Sequence, residues 1–128
     1  MGARRVCVIR TLFQVPGADL DDIVAFLSVF ARQYYVYVVE LDDAVGPRRN
    51  PRYPSVYVGQ SAVPPKERFR QHKDGYRSSR YVRRYGKHLR PWLYRHFNPM
   101  ATRDQAVAME RELARRLRNR GYTVYGGH

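Results

Sequence analysis

The stretch "YYVYVVEL", residues 34–41, decides how this chain is read, and "SVYVGQS", residues 55–61, repeats it in outline. Each is a short apolar run with β-branched side chains and a central tyrosine, a composition that suits a pleated strand. Between them lies "DDAVGPRRNPRYP", a polar loop rich in Pro and Arg. The simplest arrangement is an antiparallel hairpin with a long loop. Tyr37 and Tyr57 then take like places on neighbouring strands, just ahead of a very basic segment.

The chain has 128 residues, 44% of them hydrophobic, which bounds it to one domain with a modest core, or one domain plus an arm. Its single Cys7 has no internal disulfide partner, and no Cys/His cluster has zinc spacing. A reducing, cytoplasmic setting is the expectation. The longest apolar run, "IVAFLSVF", is far too short to span a bilayer. Arg10 interrupts the apolar run that a signal peptide would need, so no leader is expected in "MGARRVCVIR".

Charge is the strongest bulk signal. The net +13 is uneven: residues 1–65 carry +1, residues 66–95 carry +9 and residues 96–128 carry +3. A patch of +9 within thirty residues reads as a footprint for a polyanion. The segment lacks the Trp/Phe/Leu-rich face of an interfacial helix, so nucleic acid is preferred to a membrane surface.

Outside the hairpin, residues 4–14 are expected as a strand and residues 19–32 as a short helix. That helix has Ile23, Phe26, Leu27 and Phe30 on one face and acidic residues in its first turn. "PPKERFRQHKDG" has a proline start and a glycine stop for a helix. "SSRYVRRYGKH" reads as a second helix capped by Ser78 or Ser79. "RPWLYRHF" is the candidate third strand. Thr102 and Gln105 form a capping box for a last helix, with a stripe of Ala106, Met109, Leu113 and Leu117, closed by Gly121. "YTVYGGH" is expected as an extended tail. The fold class is α/β of the α+β type, a small, mainly antiparallel three-stranded sheet flanked by helices. Residues 1–33 form an N-terminal extension and residues 34–128 the main domain.

Two features carry chemistry. Arg68 and His72 are one helical turn apart on one face, which puts a fixed cation beside a proton-transfer group, although a solvated basic face would look the same. Glu110 lies on the flank of the last helix's apolar stripe, and a carboxylate drawn towards a core needs a partner. The plainer reading pairs it with Arg111, Arg115 or Arg116 on the surface.

Taken in order, the strand with Tyr37, the strand with Tyr57 and Gly59, the Arg68/His72 helix, the basic helix and the Glu110 helix resemble the GIY-YIG nuclease family. Tyr35-Val36-Tyr37 stands where that family has GIY, and Tyr57-Val58-Gly59 where it has YIG. "ERFRQH" is similar to its Arg-x-x-x-His helix, and "QAVAMERELARRL" to its glutamate helix. The resemblance covers roughly residues 34–125. The departures are Tyr35 for the first glycine, a longer connection between the two tyrosines, and Thr123 where the family has a late asparagine.

The resemblance implies a metal-dependent endonuclease that hydrolyses phosphodiester bonds in DNA. Arg68 would face the phosphate oxygens, and Glu110 would hold one Mg²⁺ or Mn²⁺. Tyr57 is the first choice as base for the attacking water and Tyr37 its hydrogen-bonding partner, with His72 able to share the proton transfer. Such a phenol needs nearby positive charge to lower its pKa. Gly59 is expected to end the second strand and let backbone approach the substrate. Arg70, Lys73, Arg77, Arg80, Arg83, Arg84 and Lys87 are the expected nucleic-acid contacts. Arg80, Arg83 or Arg84, and Lys87 would lie on one side of the second helix, with Tyr81 and Tyr85 packed into the core. A non-catalytic nucleic-acid-binding module of the same fold, motivated by the missing asparagine, and a nuclease acting on RNA are the competing readings. A monomer or weak homodimer is expected.

Overall fold

The computed structural model describes residues 32–127 together with Leu20. The expected strand over 4–14 and nearly all of the expected helix over 19–32 lie outside the described residues. Gln33–His128 is a unit distinct from Met1–Arg32.

The two tyrosine runs are strands β1 (Tyr35–Leu41) and β2 (Ser55–Ser61), antiparallel, in register from Tyr35 opposite Ser61 to Glu40 opposite Val56. Helix α1 (Pro65–Asp74) begins at its proline and ends on Gly75 in the left-handed region. Helix α2 (Arg80–Tyr85) is capped by Ser79, whose side chain accepts from the Tyr81 N–H. Strand β3 (Gly86–Leu89) pairs antiparallel with β1. Helix α3 (Arg103–Arg120) has the complete Thr102/Gln105 capping box and ends on Gly121. Strand β4 (Thr123–Gly126) lies parallel to β2, so the sheet order is β3-β1-β2-β4.

Among the described residues the architecture is therefore α+β with a four-stranded mixed sheet and three helices, where a three-stranded, mainly antiparallel sheet was expected. Two readings account for the difference. Residues 90–97 are not the third strand: Pro91 removes a ladder donor, and the chain makes two 3-10 turns, Pro91–Leu93 and Arg95–Phe97. Their apolar side chains, Leu93, Tyr94 and Phe97, pack on the core from those turns. The third strand is the four-residue "GKHL", whose Lys87 and His88 are exposed, as suits a short charged edge. The expected extended tail is β4, made parallel to β2 by the crossover through α3.

β1 is buried on both faces: Val36, Tyr37, Val38, Val39 and Leu41 are all 2% exposed or less. Where β3 no longer reaches, the Asn98 side chain satisfies Val36, accepting from its N–H (2.9 Å) and donating to its carbonyl (2.8 Å). The long β1–β2 loop is tied down away from the two strands' pairing. The Arg49 N–H donates to Thr123 Oγ1 at 2.8 Å, and the Tyr53 and Tyr122 ring centroids are 4.7 Å apart. Its length leaves the hairpin register intact. Among the described residues no helix is long and apolar enough to cross a membrane.

Candidate active site

The ladder fixes the tyrosine pair. Tyr37 is opposite Gly59 and Tyr57 is opposite Val39, so the two phenols stand diagonally on one face of the hairpin. Their ring centroids are 6.3 Å apart. Gly59 is inside β2, two residues before its end, and not at the terminus that the sequence suggested. Its neighbour is the Tyr37 phenol: a Cβ at residue 59 would sit 2.5 Å from Tyr37 Oη and 2.6 Å from Cζ. The missing side chain makes room for the phenol.

His72 comes up from α1 and is 1% exposed. The Ser79 N–H donates to its Nδ1 at 2.9 Å, so the neutral ring carries its proton on Nε2. That N–H donates to Tyr37 Oη at 2.8 Å, and the Tyr37 hydroxyl proton is left for another acceptor. Burial, with the charge of Arg68, depresses the imidazole pKa to about 4, so the ring is neutral at physiological pH. The Tyr57 ring lies edge-on to His72 at 6.0 Å.

Arg68 is held by Gln71 of α1 and by the turn after it. Its Nη1 donates to Gln71 Oε1 (3.1 Å) and the Tyr76 carbonyl (3.3 Å), and its Nη2 donates to the Arg77 carbonyl (2.7 Å). Arg77 adopts a left-handed φ of 43° within this turn. Three of the fork's donors are used on these acceptors, a further one is directed at the Tyr37 phenol, and the fifth remains for an anion.

Glu110 is 8% exposed on α3, and no hydrogen bond or ion pair engages its carboxylate among the described residues. The surface pairing went to Glu112 instead, which holds Arg115 and Arg116. Burial pushes the Glu110 carboxyl up to about 7, against the opposing charge of Arg111. The positive charge of Arg68 acts on Tyr37, Tyr57 and His72, and the carboxylate of Glu110 acts on both phenols. Five side chains from β1, β2, α1 and α3 thus share one electrostatic neighbourhood.

Arg68 lowers both phenols, but not enough by itself. Burial outweighs Arg68 and raises both Tyr37 and Tyr57 above the ordinary tyrosine value. With the protein's own charges alone, both are hydroxyl groups able to orient a water, and neither is ionised.

Among the described residues no three His, Cys, Asp or Glu side chains converge as a metal cluster. A site built on one carboxylate does not need such a cluster. Glu110 fits it: an unpaired, desolvated carboxylate with a raised pKa is relieved by a divalent cation.

All seven expected nucleic-acid contacts are exposed, but they are not equivalent. Lys73 Nζ donates to the Arg83 and Gly86 carbonyls, and Arg70 is paired with Glu67. Lys87 lies on β3, not on the second helix, and pairs with Glu40 at 3.5 Å. Arg77, Arg80, Arg83 and Arg84 have no acidic partner among the described residues. Tyr81 and Tyr85 pack against the core as expected, with Arg80 and Arg84 stacked on them at 5.2 and 5.5 Å.

Two participants escaped the sequence reading. Ser79 was legible as a cap, but not as the backbone donor that sets the His72 tautomer. Gly126 has φ +75°, and a Cβ there would meet the Val58 carbonyl at 2.5 Å and Tyr57 Cε2 at 2.8 Å. Gly59 and Gly126 together make the slot for the Tyr57 ring; the adjacent pair Gly126-Gly127 was the available signal. No family model matches this chain, and neither a curated protein nor a solved structure matches it.

Proposed function

We propose that the chain is a metal-dependent endonuclease of GIY-YIG type that hydrolyses phosphodiester bonds in DNA. The observation that carries this reading is the Glu110 carboxylate, unpaired among the described residues and gathered with Arg68, His72 and two phenols from four separate elements. The Arg68 guanidinium faces the equatorial phosphate oxygens, where negative charge builds during attack. Tyr57 and Tyr37 orient the attacking water. His72 acts through Tyr37: its Nε2–H fixes the hydroxyl and stabilises negative charge on that oxygen if the proton leaves. Glu110 holds the divalent metal, which when bound supplies neutralising charge for the leaving oxygen. The arginines of α2 hold the backbone without reading bases.

A second reading, a nucleic-acid-binding module that does not cut, is favoured by one observation: with the protein's own charges alone, burial holds both phenols above the ordinary tyrosine value. Incubating supercoiled plasmid with the protein and Mg²⁺ separates the two. Nicking that falls at least about 100-fold in Arg68→Ala and Glu110→Ala supports the endonuclease. Gel-shift binding without nicking supports the second reading, and equal nicking by the variants removes both residues from the site.

A further inference from the structure

Away from the tyrosines, the C-terminal half of α3 and the two 3-10 turns line a half-open cavity of about 390 Å³, within the range that holds small ligands. Its apolar side includes Trp92 and Phe97, its polar side includes His96, Arg116, Asn119 and Arg120, and no carboxylate lines it. Trp92 is the only tryptophan of the chain. Its side chain is 54% exposed, one of two large hydrophobic side chains so exposed among the described residues. It is also held in place: the Arg90 guanidinium lies over the indole at 4.8 Å, and Glu40 of β1 anchors Arg90 by an ion pair. The Arg116 guanidinium lies over Phe97 at 6.0 Å, and one of its nitrogens is engaged by Glu112. An exposed indole fixed by a charge pair, beside an amide and cations, has the parts of a stacking platform for a base with donors for its phosphate.

We infer that this cavity is a second nucleic-acid contact, which takes an unpaired nucleobase against Trp92 while Arg116 and Arg120 hold the adjoining phosphate. The occupant is a single-stranded or frayed segment of the nucleic acid itself: the cavity sets Arg116 and Arg120 beside an exposed indole with no lining carboxylate, which suits a base joined to an anionic backbone. Leu117, at the cavity, is seven residues along α3 from Glu110, about 10 Å at the helical rise, or roughly three nucleotides of a stacked strand. A paired base in a duplex has no free face to offer, so the contact selects frayed ends, gaps or single strands. The inference does not depend on cleavage at Glu110.

Because Trp92 is the sole tryptophan, its fluorescence reports on this cavity alone. The full chain, without divalent metal, is titrated with a twelve-nucleotide oligothymidylate, with a blunt duplex of the same length, and with thymidine monophosphate. Strong quenching of Trp92 emission by the oligonucleotide and little by the duplex is expected. Arg116→Ala and Arg120→Ala, both at exposed positions, are expected to raise the oligonucleotide Kd about tenfold each while duplex affinity changes less. The emission of each free variant checks that its fold is retained. The inference is overturned by no oligonucleotide binding, by binding without quenching, by equal quenching with duplex, by quenching with the mononucleotide only, or by unchanged Kd in both variants. A chain that nicks plasmid but shows no quenching loses this inference alone. One that shows quenching but never nicks loses the endonuclease reading alone.

Discussion

His72 Nε2 lies 2.8 Å from Tyr37 Oη, and the other ring nitrogen accepts from the Ser79 N–H, so one imidazole ties β1 to the turn before α2. The His72→Phe variant keeps an aromatic ring at the site and leaves the phenol and the amide without that partner. It is expected to lose about 2 kcal/mol at pH 7 in urea denaturation. The folded pKa of about 4 lies below the ordinary 6.5. In that interval the unfolded chain binds more protons, so the contribution of His72 is full above 6.5 and is lost as pH falls towards 4. The gap between wild type and variant should therefore narrow between pH 7 and 4.5; a gap that stays constant would show that the ring is not held neutral.

Glu110 shows the opposite dependence. Its folded pKa of about 7 lies above the ordinary 4.5, so its contribution is full below 4.5 and is lost as pH rises through 7. Glu110→Gln should be more stable than wild type by roughly 2 kcal/mol at pH 8, with the difference vanishing near pH 4. The same substitution should abolish nicking. Mg²⁺ should raise the Tm of wild type at pH 7 and leave that of the variant unchanged, since only a folded-state ligand stabilises. Equal stabilisation of both proteins by Mg²⁺ would take the metal away from this carboxylate.

Of the five candidate site residues, three stood out from local spacing, and the two tyrosines were singled out by the resemblance. The i,i+4 spacing set Arg68 beside His72 and the flank of a 3.6-period stripe drew in Glu110, which is 8% exposed, whereas Tyr37 and Tyr57 were chosen among eleven tyrosines by their places in the resemblance. What depends on pairing between distant segments was not legible. "GKHL" has no apolar alternation and is a strand only because its backbone meets β1. "RPWLYRHF" looks like a strand, but its Pro91 suits a turn and its side chains reach the core without a ladder. The role of Gly59 needed the register that sets it opposite Tyr37. Nor does charge in the sequence tell a free cation from Lys73, whose ammonium is spent on two carbonyls.

Gly59 gives a test of the site's shape. In Gly59→Ala the new methyl would lie 2.5 Å from Tyr37 Oη, and the phenol is held from behind by His72. Overpacking of this kind costs about 1–3 kcal/mol. At a temperature well below its Tm the variant remains folded, so the loss of nicking there reads the displacement of Tyr37. Nicking should fall at least about tenfold, since a small misplacement of a catalytic group is enough. A variant destabilised but fully active would show that the position of Tyr37 is not part of the reaction.

The basic surface divides by what already holds each cation. Arg80 and Arg84 are exposed and stacked on Tyr81 and Tyr85, while Lys73 donates to the Arg83 and Gly86 carbonyls and Lys87 pairs with Glu40. A cation that neutralises a phosphate releases a counterion, and each such contact adds about 0.9 to the slope of log K against log salt on duplex DNA. Arg80→Ala and Arg84→Ala should each lower that slope by about 0.9, with binding weakened on every sequence alike. Lys73→Ala should leave the slope unchanged. Its effect should appear instead as about 1 kcal/mol of lost stability, because it frees two carbonyls where α2 meets β3. If Lys73→Ala lowers the slope as much as Arg84→Ala does, the ammonium leaves its carbonyls for the phosphate on binding, and the division drawn from the free protein fails.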